Sequence, residues 1–233
     1  MAERTGVSSA FYRYFPFAVF MGFIGIDECI RFLAGQGLFS FEATTLYYLY
    51  PVKALTVGCL LYLFKDRYDE LKLKDLTNIP ATLLSCGIGL LVFMLWIKMD
   101  WTFGTAGVPQ GFNPALLPGR NTQISMTLLR IAGAVLVVPL MEELFWRSFL
   151  IRYIIDKNFD TVSIGAFTWV SFLLTVVFFG LEHNFIYAGM MAGIFFNLVL
   201  YRTRSIAQCV LSHAVTNLAL GIYVIYSGKW QFW

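Results

Sequence analysis

Glu142 and Glu143 are adjacent, and Arg147 follows the second by four residues, inside the otherwise apolar stretch MEELFWRSFLIRY (141–153). A step of four returns to the same helix face, so Glu143 and Arg147 stack as an ion pair. Glu142 is turned about 100° away and has no partner in its own helix. The chain has 2 histidines. His183 closes FGLEH (179–183), one turn after Phe179, and His213 opens HAVTN (213–217), one turn before Asn217. A free carboxylate, two imidazoles and a carboxamide suit hydrolysis of an amide bond. Glu142, helped by one histidine, takes a proton from water, while the second histidine and the asparagine donate hydrogen bonds to the oxyanion. GxSxG is absent and no cysteine has a histidine neighbour in sequence, so water is the expected nucleophile.

Two other chemistries use the same residues. Two histidines and a glutamate can hold zinc with water in the fourth position, although HExxH is missing. Intramembrane Glu and His also build proton relays, which keeps a proton-coupled transporter or a non-catalytic scaffold in view; no repeated halves are visible. Activity surviving a strong chelator separates the first alternative, and Glu142→Gln the second.

The elements that position these groups are membrane helices. Of 233 residues, 58% are hydrophobic and 13% charged, and the mean hydropathy of +0.69 is far above that of a soluble domain. Seven apolar segments, at 14–36, 42–64, 79–99, 124–154, 163–183, 186–201 and 205–227, are each read as crossing the hydrocarbon core. The expectation is an all-α polytopic bundle of about seven transmembrane helices, a single domain over 1–233 with its motif-bearing core at about 121–227. The first segment is too long and too interrupted, by Asp27 and Glu28, for a cleaved signal peptide.

Asp27, Glu28 and Arg31 are expected to neutralise one another, with Arg130 at a similar depth, and Lys53 to snorkel or to pair with a glutamate of the fourth segment. Cys29, Cys59, Cys86 and Cys209 lie singly in apolar segments and read as small core residues. Lys65, Arg67, Lys72, Lys74, Arg152, Lys157, Arg202 and Arg204 favour loops of one parity, which places the N-terminus in the cytoplasm and the C-terminus outside. No loop is basic enough for nucleic acid, and no cofactor is called for. The Gly-, Pro- and aromatic-rich loop 101–121 reads as interfacial, anchored by Trp101, Phe103 and Phe112, and is placed to gate a site beneath it.

EELFWR (142–147), FGLEH and HAVTN resemble the EExxxR, FxxxH and HxxxN motifs of the CAAX protease and bacteriocin-processing family, in order, over roughly the last 110 residues. The resemblance implies a glutamic-type intramembrane protease, with Glu142 as the base that activates water and His183 assisting it. His213 and Asn217 would stabilise the oxyanion, and Glu143, Arg147 and Phe179 would be supporting residues. The implied partners are membrane lipid and a protein or peptide substrate, lipidated or carrying a C-terminal sorting signal. The opening RYFPFAVFMGFIGIDE (13–28) is similar to the bacterial branch found beside exosortase and PEP-CTERM sorting systems, which implies the bacterial inner membrane.

Two features sit awkwardly with this pattern. Glu182 is a third acidic side chain beside His183. Glu142 lies about 27 Å along the fourth segment, whereas His183 falls at the end of the fifth if that helix crosses fully. Either the fourth helix overshoots the membrane or the fifth stops short of it.

Overall fold

The computed structural model describes residues 8–102 and 111–233, so Phe103 of the 101–121 loop lies outside it. Seven helices follow in order: α1 Ser9–Gly35, α2 Leu49–Leu63 with a 3-10 turn before it, α3 Ile79–Trp96, α4 Arg120–Ile155, α5 Trp169–Leu181, α6 Ile186–Thr203 and α7 Ile206–Ser227. No strand forms among the described residues. Five of the helices (α2, α3, α4, α6 and α7) are long and apolar enough to cross a membrane. Only 17% of α3 is buried within the protein. Leu83, Leu90 and Met94 point outward from it, and an apolar surface of this extent is stable only in lipid. The chain is an integral membrane protein built as a helical bundle.

Lengths settle the question of depth. α4 runs for 36 residues, about 54 Å, well beyond a hydrocarbon core of roughly 30 Å. α5 has 13 residues, about 20 Å, and cannot cross. The expected fifth segment at 163–183 was too long at its start. Gly165 turns the chain with φ +80 and sits against the backbone of Leu200, and Thr168 caps the helix by accepting from Ser171 N–H at 3.1 Å. α5 therefore ends inside the bundle, beside α6, and delivers His183 to the level of Glu142.

α3 packs along α7, α5 along α6, and α1 covers both α2 and the last turns of α4. Close backbone approaches make the α5–α6 crossing tight: a Cβ on Gly180 would stand 2.8 Å from the Ile186 carbonyl oxygen, and one on Gly189 would stand 2.9 Å from Gly180 Cα. Small residues at such crossings let helices touch in lipid. Gly180→Ala is expected to push α6 off α5 and cost about 1–3 kcal/mol, read as a lower thermal midpoint in detergent; an unchanged midpoint would show that the crossing tolerates a methyl group.

Several sequence expectations are corrected here. Asp27 pairs with Arg31 at 3.3 Å, but Glu28 is exposed and Arg130 takes no part. Lys53 makes no close ion pair with a glutamate among the described residues, although it feels the charges of Asp27 and Glu142; its Nζ lies 4.1 Å from the Phe20 ring centroid and 5.3 Å from that of Tyr50. Only Cys209 is a core residue, because Cys29 and Cys59 are exposed and Cys86 is intermediate. Phe112 is buried against Tyr47 and Trp233 rather than anchoring at an interface, whereas Trp101 is exposed.

A polar cluster locks the loop after α2 onto α1 and α4. Arg13 donates to both carboxylate oxygens of Glu70 at 2.7 Å, Ser148 donates to Glu70 as well, and Arg152 Nη2 donates to Ser148 at 3.0 Å. Burial alone would raise the Glu70 carboxyl, but the Arg13 hydrogen bond and charge, with the Ser148 hydroxyl, outweigh it and hold the group below the usual carboxylate range. A depressed carboxylate stabilises the fold above its unfolded pKa, and that contribution is lost as the pH falls through its folded value. Glu70→Ala strands a buried guanidinium, and we expect a loss of about 3–5 kcal/mol at neutral pH. The difference from the parent protein should shrink as unfolding is measured at progressively more acid pH.

Candidate active site

Glu142, His183, His213 and Asn217 all line one cavity of about 250 Å³, together with Phe179. The site is built from α4, the end of α5, and α7. Glu142 is 6% exposed and its Oε2 has no hydrogen-bond partner. That oxygen lies 3.9 Å from His213 Nε2.

Glu143 and Arg147 stand behind the cavity, not in it. Glu143 is 0% exposed and its Oε1 accepts from Arg147 Nη1 at 3.1 Å and from His213 Nδ1 at 2.9 Å. The guanidinium of Arg147 also donates through Nε to Asn197 Oδ1 at 3.2 Å, and Asn197 Nδ2 donates to Thr175 Oγ1 at 3.1 Å. The Arg147 carbon sits 4.4 Å from the Phe179 ring centroid, so the charge is cradled by a π face as well as by its carboxylate. His213 is thereby fixed at Nδ1 and stacked on Phe196, with centroids 4.7 Å apart, leaving Nε2 toward Glu142. Holding one ring nitrogen to orient the other is how histidine is prepared for chemistry.

His183 is fixed from its own helix. Its Nδ1 lies 2.6 Å from the Phe179 carbonyl oxygen, and its ring meets Trp96 edge-on at 5.3 Å. Asn217 is fixed by a defect in α4. Residues Gly133–Val137 form a π turn in which Val138 N–H bonds the Gly133 carbonyl, so the next carbonyl, that of Ala134, faces Pro139, which has no N–H. Asn217 Nδ2 donates to the Ala134 oxygen at 2.8 Å and supplies the missing donor. One N–H of the carboxamide remains for the cavity.

Glu182, singled out in the sequence without a role, joins the site. Glu142, Glu182 and His183 bring ligand-type atoms within 4.8 Å of one another, and neither carboxylate oxygen of Glu182 has a hydrogen-bond partner. His213 is not part of that group, so the two imidazoles do not meet around one point as the zinc alternative supposed. Asn197, Thr175, Tyr50 and Trp96 were not anticipated. Asn197 carried a usable signal, a lone carboxamide within an apolar helix; the other three carry none that separates them from packing residues.

Residues 124–219, which contain all three motifs, match the family model described as Type II CAAX prenyl endopeptidase Rce1-like. Over these residues the chain is similar to the Rce1-like family. The Rce1-like segment begins within α4 and ends in α7, and it includes each of the four cavity residues above. No curated protein and no solved structure matches the chain.

Proposed function

We propose that the protein is a glutamic-type intramembrane endopeptidase in which Glu142 activates water. The observation that carries this reading is the convergence of Glu142, His183, His213 and Asn217 on one cavity within an Rce1-like segment. Glu142 Oε2, which accepts no hydrogen bond and lies 3.9 Å from His213 Nε2, takes a proton from water as the oxygen attacks the scissile carbonyl. His183, with Nδ1 on the Phe179 carbonyl, offers Nε2 as a second acceptor that orients the same water. The carbonyl oxygen gains the charge, and His213 Nε2 and the remaining N–H of Asn217 donate to it. Donation from Nε2 requires His213 to be protonated on both nitrogens, with Glu143 accepting from the other side. Collapse of the tetrahedral intermediate breaks the C–N bond, and the proton held by Glu142 passes to the leaving amine. No acyl-enzyme forms.

The substrate is a membrane-associated protein or peptide cut near one end, a sorting signal or leader in a bacterial inner membrane. We infer from the basic loops that the N-terminus faces the cytoplasm and the C-terminus the outside. The test is cleavage of a library of membrane-anchored peptides by the protein in liposomes made in ¹⁸O water, with and without a strong chelator. We expect chelator-resistant cleavage with one ¹⁸O in the new carboxylate. Loss on chelation and recovery with zinc would transfer the site to a metallopeptidase, and a folded protein that cuts nothing in the library would remove the reading.

A further inference from the structure

Arg130 is a cation without an anion. Its guanidinium carbon lies 4.5 Å from the Tyr50 ring centroid, 5.0 Å from that of Phe112 and 5.7 Å from that of Trp233. Nε is sealed from solvent and has no acceptor, and no carboxylate pairs with the group among the described residues. Asp27, the acid once expected nearby, is taken by Arg31. A charge in an apolar interior is costly unless it is paired. Three aromatic faces offset part of that cost and clamp the plane of the guanidinium, yet none of them satisfies its N–H donors. Tyr50 adds rigidity by donating its hydroxyl to the Arg130 carbonyl at 3.2 Å. What is built here is a pre-oriented fork waiting for a planar anion.

The fork opens into the same cavity as Glu142. Arg130, Ala134, Val138 and Glu142 form a single lining stripe with a step of four. In a regular helix each such step overshoots a turn by about 40°, so the stripe would drift by about 120° over three steps. The π turn Gly133–Val137 takes in extra chain and cancels most of that drift, keeping Arg130 and Glu142 on one face. Between them the wall is apolar, with Ala134, Val138 and Leu220.

We propose that Arg130, framed by Tyr50, Phe112 and Trp233, receives the free C-terminal carboxylate of the peptide being cut. The proposal rests on Glu142 being the cleavage centre. A guanidinium fork matches a carboxylate through two parallel N–H···O bonds. The spacing then measures the substrate: twelve helical residues separate the two side chains, about 18 Å, and an extended peptide covers about 3.3–3.6 Å per residue. The scissile bond falls on the order of five residues before the terminal carboxylate. The enzyme is thus a ruler from the substrate's end, with small to medium apolar residues in between.

The experiment uses apolar peptides made in pairs that differ only in a C-terminal acid or amide. Binding is measured to the intact protein carrying E142Q, which holds the peptide without cutting it, and to the same protein with R130Q added. We expect the acid to bind at least about tenfold more tightly than the amide, the scale of a charge-assisted hydrogen bond, and R130Q to abolish the difference while amide binding is unchanged. Cleavage by the parent protein should fall at a constant distance from the C-terminus and follow it when residues are appended. Equal binding of acid and amide overturns the proposal, as does a preference that survives R130Q. Competition by anionic phospholipid but not by the acid peptide assigns the fork to a lipid phosphate and overturns it too. Because binding is read in an inert protein, an acid preference without cleavage in the parent leaves Arg130 as a carboxylate site but removes the cleavage centre and the ruler with it, whereas cleavage without an acid preference sinks only this proposal.

Discussion

Glu142→Gln is expected to lower peptide cleavage by about two to four orders of magnitude, the range for loss of a positioned general base, with the thermal midpoint of the purified protein unchanged. The unchanged midpoint follows from the geometry. Glu142 Oε2 accepts no hydrogen bond and the side chain faces a cavity, so a near-isosteric amide removes a proton acceptor, relieves the repulsion with the nearby Glu182 carboxylate and still offers that neighbour a hydrogen-bond donor. Cleavage persisting in this variant but lost in Glu182→Gln would move the base one carboxylate over, since Glu182 shares the same small space. Cleavage persisting in both would remove the carboxylates from the chemistry.

Arg147→Met should have the opposite signature, a large loss of stability. Arg147 is 1% exposed and Glu143 0%, and removing the guanidinium leaves a carboxylate in the bundle with only the His213 ring for company and takes the Nε donor from Asn197. Breaking a buried pair in this way costs about 3–5 kcal/mol. Unfolding followed by circular dichroism in detergent measures it. Adding Glu143→Leu to Arg147→Met should recover part of the loss, because the double variant buries no unpaired charge. A stable Arg147→Met protein would show that the pair is not structural.

The two glutamates illustrate what was legible in the sequence. Their division of labour follows from helical periodicity alone: one step of four gives Glu143 its arginine, and the adjacent residue is turned elsewhere. The seven apolar segments and the three motifs were equally local. The start of α5 was not, because Ile164, Ala166 and Phe167 read as helix by composition, but Ile164 and Gly165 form a turn closed by Ala166 N–H on the Ser163 carbonyl, and the helix begins only at Trp169. The cradle of Arg130 was invisible for a different reason: Tyr50, Phe112 and Trp233 come from three distant parts of the chain. The π turn that precedes Pro139, and hence the anchoring of Asn217 on Ala134, depends on how α7 packs against α4. Patterns within one helix were readable; partners supplied across helices were not.

The brevity of α5 reaches beyond the protein. At 13 residues it is about 10 Å shorter than an average hydrocarbon slab, and such hydrophobic mismatch is relieved by pinching the surrounding bilayer. Lipids around α5 must shorten or splay, which brings headgroups and their hydration down toward the level of His183. A protein shaped in this way should work faster among short acyl chains than among long ones, so that membrane thickness itself becomes a control on its rate.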